Sequence, residues 1–359
     1  MPYLKKSFLK SESGSFVPAL AVALVPLLAA IGLVSDYSQG VTQRNSMQEA
    51  LDAASLSSMT LSKDLTMEER QQKLQLAYEA NGGMGTTTLK DYAVAVDGTA
   101  TMSASASYAM PTSFMRMVGI DDVSIGVEAA ARKNPGLVQA TFKIQKVSGW
   151  WGKTMWLYGT KFGSTTAQPL MKITYSYNGG GGKGYGTSTI YKITENPLYP
   201  TNRKKDTTTQ VQQQVCTTKT KKWYTDNKKT IPNDAIVEND AGLVTTCVTD
   251  PANSDGAVID VSNMNVLYLQ MDVPSGNPKT LKTNDPATSN RTYFGGKQSP
   301  ANKTVDIFSS VPCGQTSTQA WEDGGTNPPS PDVNQADFFY TVTGKCNFSQ
   351  RASEVSLTQ

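Results

Sequence analysis

FVPALAVALVPLLAAIGLV, from Phe16 to Val34, is nineteen residues without a charge in a chain of 359. A helix rises about 1.5 Å per residue, so the run covers roughly 28 Å, close to the ~30 Å hydrocarbon core of a bilayer. No second stretch of this kind occurs, and the rest of the sequence is polar enough to fold in water. The reading is one membrane anchor carrying one large soluble body, with the lipid bilayer as its first partner. Lys5, Lys6 and Lys10 precede the run against Glu12 alone, whereas Asp36 follows it at once and the next cation is Arg44. The positive-inside bias then places the lysine-rich side in the cytoplasm and the remainder across a single span. Pro26 reads as a kink or packing notch, because neighbouring groups in a membrane helix can satisfy the carbonyl it frees. The alternative is a cleaved secretory signal. Its small-residue triplets, Ala19-Leu20-Ala21 and Ala21-Val22-Ala23, come too early in the run for an apolar core to precede them.

Thirty-three basic and thirty acidic residues leave a formal charge of +3, too small to imply nucleic acid as a partner of the whole molecule. The length suits about two domains. Histidine is absent, which rules out a Ser-His-Asp triad, a Cys-His pair and an H-E-x-x-H zinc site. The four cysteines, Cys216, Cys247, Cys313 and Cys346, show no C-x-x-C spacing and lie beyond the anchor, where an oxidising compartment permits disulfides. Three pairings are open. The shortest loops favour Cys216 with Cys247 and Cys313 with Cys346, each adding roughly 3–4 kcal/mol in the chain-entropy treatment; four free buried thiols are the alternative.

After Asp36 the pattern remains helical. Met47, Ala50, Leu51 and Ala54 recur at i, i+3, i+4 and i+7 while Gln48, Glu49 and Asp52 face away, which predicts an amphipathic stem continuing from the anchor. Thr66-Met67-Glu68-Glu69 is a capping box opening a second helix with Leu74, Ala77 and Tyr78 buried, stopped at Gly82-Gly83. The period then becomes two. Tyr92 to Val96 pairs with Ala100 to Tyr108 across Asp97-Gly98, and Val123, Ile125, Val127 and Ala129 continue the alternation, so a small antiparallel sheet packed by the capped helix is expected.

Gly14, the apolar run with Pro26, Gly32, Asp36-Tyr37 and the helix carrying Gln48, Asp52 and Ala53-Ala54 resemble the start of TadE/TadG-like proteins of the Tad (Flp) pilus assembly system. Pro111-Thr112-Ser113-Phe114 and Gly119-Ile120 extend the likeness, which covers about the first 130 residues. The resemblance implies a non-enzymatic, pilin-like or scaffold component of a bacterial inner membrane, its bulk periplasmic or within a pilus, contacting other pilus or pseudopilin subunits through the N-terminal helix. Ala19 stands where pilins carry Glu five residues after the cleavage glycine, which fits the TadG-like branch better. Larger relatives of that branch resemble von Willebrand factor A proteins with a D-x-S-x-S metal site. Here Asp260-Val261-Ser262-Asn263-Met264 ends on a thioether, no ligand for a hard cation, and reads as part of a strand from Val258 to Met271.

Beyond Pro135 strands are expected at Gln139 to Val147, Thr154 to Tyr158, Lys172 to Tyr177, Thr187 to Ile193, Ala257 to Val273 in part and Phe338 to Val342, divided by turns such as Asn277-Pro278. The fold class is therefore α+β: anchor with cytoplasmic tip (1–35), helical stem and small sheet (36–134), and a large sandwich-like β domain (135–359). The run from Gly179 to Gly184 lacks the opening glycine and the Ser/Thr of a phosphate loop and reads as a hairpin loop. Between Thr201 and Thr230, Arg203, Lys204, Lys205, Lys219, Lys221, Lys222, Lys228 and Lys229 interleave with Trp223 and Tyr224. This is either a solvated face or a patch for an anionic ligand, nucleic acid or surface polysaccharide. Glu322, Asp323, Asp332 and Asp337 have the side chains for glycoside cleavage, yet their spacing sets no separation across a substrate. No catalytic, cofactor or metal site is assigned. The alternative function is an exported adhesin acting through its β domain, which predicts loss of the first thirty or so residues.

Overall fold

A single helix, α1 (Phe16–Ser58), takes up both the apolar run and the amphipathic segment, 43 residues or about 65 Å, with Pro26 inside it. The computed structural model describes residues 16–195, 206–252, 254–325 and 327–358. Within α1 the change of environment is abrupt. Val22, Ile31 and Val34 are 76, 65 and 68 % exposed, whereas Met47, Ala50, Leu51 and Ala54 are buried. The helix is long and apolar enough to cross a membrane.

The chain divides into two compact units. In the first, α2 (Met67–Ala80) begins at the capping box: the Glu69 amide donates to Thr66 Oγ1 at 3.2 Å and the Thr66 amide to Glu69 Oε2 at 2.9 Å. Strands β1 (Thr86–Val94), β2 (Ala100–Pro111) and β3 (Asp122–Lys133) form an antiparallel sheet. Gly98, at φ 88°, supplies the left-handed backbone of the first turn. Strand β1 begins earlier than expected, because its polar stretch from Thr86 to Asp91 pairs with β2 without contributing an apolar alternation. Alternate residues Ala100, Met102, Ala104 and Ala106, with Ile125, Val127, Ala129 and Ala131, are buried. Helix α1 lies against β2 and β3, and α2 against β1. Alanine at most of these positions lets a helix approach the sheet closely. Arg70 is also buried, donating to the carbonyls of Ser58 and Ser62 at 2.9 and 2.8 Å, with its guanidinium 3.5 Å from the centre of the Tyr92 ring.

The second unit is built from antiparallel strands. These are β4 (Gly136–Val147), β5 (Lys153–Lys161), β6 (Ala167–Tyr177), β7 (Gly186–Thr194), β8 (Thr207–Thr220), β9 (Ile236–Glu238) and β10 (Leu243–Asp250). They continue as β11 (Ala257–Asp260), β12 (Met264–Asp272), β13 (Thr280–Lys282), β14 (Thr292–Phe294), β15 (Lys297–Gln298), β16 (Thr316–Trp321) and β17 (Phe338–Asn347). One sheet has eight strands in the order β13-β12-β5-β6-β7-β8-β10-β9, and the other six, β11-β4-β17-β16-β14-β15. Phe142, Phe338 and Trp321 from the smaller sheet share one core with Met155, Leu157 and Ile173 from the larger.

Three sequence expectations are corrected. Val258 to Met271 is two strands in different sheets. Asp260 Oδ1 accepts from the Ser262 amide at 2.9 Å in the turn where the chain crosses, so β11 joins β4 and β12 joins β5. Residues 352–358 belong with the first unit rather than the distal one, because a last strand, β18 (Val355–Leu357), pairs with β3. Strand β8 was not expected at all. Its sequence TTTQVQQQVCTTKT offers little apolar alternation, yet Gln212 and Gln214 face inward, Gln212 accepting from the Ile144 amide at 3.3 Å and Gln214 donating to the Gln145 carbonyl at 3.2 Å. They satisfy backbone groups of β4 beside its register shift.

Candidate functional site

At the end of the apolar run, α1 meets a turn of the first unit. Asp36 is 2 % exposed, and its carboxylate accepts three backbone N–H bonds, from Ser113 at 3.1 Å, Phe114 at 2.8 Å and Met115 at 2.7 Å. Those donors open a short 3-10 turn, Met115–Val118, closed by Gly119 at φ 88°. One helical turn back, a Cβ on Gly32 would lie 2.5 Å from Phe114 Cβ, so only glycine lets Phe114 rest there. Leu33, Tyr37 and Val41 face Met110, Met115 and Ile125 across a largely apolar groove of about 620 Å³. The sequence marks Asp36 only as the first charge after the run; its partners lie nearly eighty residues on, in the Pro111 to Ile120 segment that shares the family resemblance.

Of the other anchor residues, Phe16 starts α1, Pro26 stays within it and Val34 is exposed. Stem residues Met47, Ala50, Leu51 and Ala54 all point into the first unit's core. Gln48, on the flank, donates to the Glu128 carbonyl and to Asp52, both at 2.9 Å.

In the second unit the basic patch gathers around α3 (Lys221–Asp226). The Nζ atoms of Lys219 and Lys229 stand 5.6 and 5.0 Å from the Trp223 ring centre, and Lys221 donates to Asn239 at 2.7 Å. Lys222 is exposed. The indole is thus already attended by two ammonium groups of its own chain. Arg203, Lys204 and Lys205 lie outside the described residues. The glycine-rich segment joins β6 to β7 as a hairpin, its Lys183 amide donating to the Glu238 carboxylate at 3.1 Å. Both disulfides pair as the short loops favour. Cys216–Cys247 ties directly opposed residues of β8 and β10, and Cys313–Cys346 links β17 to the segment before β16.

Of the four acids that the sequence groups, three come together, around a lysine that it does not mark. Lys153, buried at the start of β5, pairs with Asp323, donates to the Ser148 carbonyl at 2.9 Å and lies 3.9 Å from Asp337. Glu322 joins them, with carboxylate oxygens of the three acids within 4.8 Å of one another. Burial, reinforced by the neighbouring Asp323 and Glu322 and opposed by Lys153, pushes the Asp337 carboxyl up to about 7. The cluster edges a cleft of about 540 Å³ beside Trp150, which is 60 % exposed, and Lys183. Asp332 stands apart from it, capping the turn Val333–Gln335. The group can hold a proton at Asp337 and has oxygen ligands suited to a hard cation, but its nearest positive charge is the chain's own Lys153.

Among curated proteins and solved structures, none matches this chain. Residues 14–60, however, match the family model Tad, TadE/G-like Flp pilus assembly, and this span contains the apolar run, Gly32, Asp36 and the whole stem. Over residues 14–60 the chain is therefore similar to the TadE/G-like Flp pilus-assembly family.

Proposed function

We propose that this protein is a non-enzymatic component of Tad pilus assembly, held in a bacterial inner membrane by residues 16–34 in a single pass, with everything after Asp36 on the periplasmic side or within a pilus. The observation that carries the reading is the continuity of α1. One unbroken helix leads from an exposed apolar segment into the buried core of the first unit, so the anchor and the first unit form one mechanical piece. The Tad match over 14–60 supplies the system. Other pilus or pseudopilin subunits would engage the exposed apolar face of the same helix, where helices in lipid associate by packing.

Protease added to intact spheroplasts tests the orientation: the reading requires the second unit to be digested and the protein to resist carbonate extraction. A protected second unit, or release by carbonate, would overturn it. An exported adhesin is the second reading, favoured by the cleft beside Trp150 in the second unit. It requires a mature protein that begins beyond the apolar run, which N-terminal sequencing reads directly.

A further inference from the structure

We infer that the turn from Ser113 to Ile120 is a second lipid contact, seated at the membrane surface beside α1. The inference rests on the reading of residues 16–34 as the anchor. Phe114 lies on Gly32, inside the apolar run and two residues before its end, while the Ser113, Phe114 and Met115 amides are held by Asp36 just beyond it. Gly32 and Asp36 are about 6 Å apart along the helix axis. The turn is thereby fixed at the level where the hydrocarbon of a spanned bilayer would give way to headgroups.

Its side chains suit that level. Phe114, Met117, Val118 and Ile120 are 47, 84, 63 and 41 % exposed, four large apolar side chains gathered on one short turn. The one charge within the turn, Arg116, pairs with Asp121 at 3.2 Å. The backbone is equally prepared: besides the three amides on Asp36, the Met117, Gly119 and Ile120 amides donate to the carbonyls of Phe114, Arg116 and Met115 at 3.0–3.1 Å. With these six of its eight amides satisfied, the segment enters a less polar medium with little of the penalty of orphaned donors. The turn also covers the Asp36 carboxylate, the one charge directly next to the run. Contacts of this kind reach about 5–10 Å into the headgroup and acyl boundary.

The test uses the full chain in phosphatidylcholine vesicles. All four native cysteines are in disulfides, so Met117→Cys, Val118→Cys, Ile31→Cys and Leu76→Cys each offer one thiol for an environment-sensitive fluorophore. Ile31 in the run and Leu76 on α2 are equally exposed at 65 %. The expected result is a blue shift at Met117 and Val118, with a loss of intensity on adding lipid spin-labelled near the headgroup that is comparable to Ile31 and absent at Leu76. If Ile31 responds while Met117 and Val118 behave like Leu76, the inference is overturned and the anchor stands. If Ile31 also fails to respond, both are overturned. A shift at Met117 that follows protein concentration and ignores the spin-labelled lipid assigns the patch to a second copy and likewise overturns the inference.

Discussion

Replacing Lys153 by Met removes the buried cation of the second unit while nearly keeping its volume. The ammonium is fully covered, Asp323 is almost so and Asp337 is one-quarter exposed, so little water can replace the lost charge. Breaking one side of a buried pair of this kind costs about 3–5 kcal/mol, because carboxylates are left without a counter-charge. Set against the roughly 5–15 kcal/mol that stabilises an ordinary domain, the loss is large. With a urea dependence of about 2–3 kcal/mol per molar, the midpoint falls by roughly 1–2 M. All five tryptophans, Trp150, Trp151, Trp156, Trp223 and Trp321, lie in the second unit, so intrinsic fluorescence of the full chain in detergent reports that unit alone. The measurement belongs near pH 8, above the value of about 7 to which Asp337 is raised. The deficit should shrink toward pH 5, as protonation removes the repulsion that Lys153 had offset. A Lys153→Met protein within 1 kcal/mol of wild type at pH 8, or a deficit that does not change with pH, would refute this account of the cluster. Adding Asp323→Leu to Lys153→Met should recover part of the loss.

Asp337→Asn tests the proton directly. The folded protein holds a proton there up to about 7, whereas the unfolded chain releases it near the ordinary 3.8. The group's contribution is therefore complete below that lower value and is lost as pH rises toward 7; the variant should show a flatter decline in urea midpoint across this window. The double substitution Cys216→Ser and Cys247→Ser should lower the same midpoint by the equivalent of roughly 3–4 kcal/mol. Gly32→Ala should displace Phe114 and loosen the turn from Asp36, read as faster tryptic cleavage after Arg116 with no change in the tryptophan transition. Thr66→Ala removes the cap of α2 and should cost about 1 kcal/mol in the first unit, followed by circular dichroism at helical wavelengths.

The legible parts share a property: their signal is local. Nineteen uncharged residues, the heptad-like stripe from Met47 to Ala54, the capping box at Thr66 and the Asp97-Gly98 turn each act within a few residues, through burial or hydrogen bonds set by helix or strand periodicity. The illegible parts depend on specific partners that no periodicity encodes, in the turn before α2 for Arg70 and far along the chain for Lys153. Arg70 and Lys153 are cations that pattern reading assigns to the surface, and only carbonyls and carboxylates brought from elsewhere make their burial possible. Strand β8 fails as a pattern because two of its inward residues are the glutamines Gln212 and Gln214, whose amides are needed by β4 of the facing sheet.

By itself the sequence determined that a single apolar helix leads this chain, that it continues into an amphipathic stem, and that a β-rich body lies beyond. Loop length also ordered the cysteine pairs, since close residues meet most readily. Only the tertiary structure decided that Asp36 is held by amides of residues 113–115, that Lys153 sits against Asp323 and Asp337, and that Val355–Leu357 returns to β3. Each joins groups from tens to hundreds of residues apart, and no periodicity along the chain encodes which distant backbone will satisfy a given side chain.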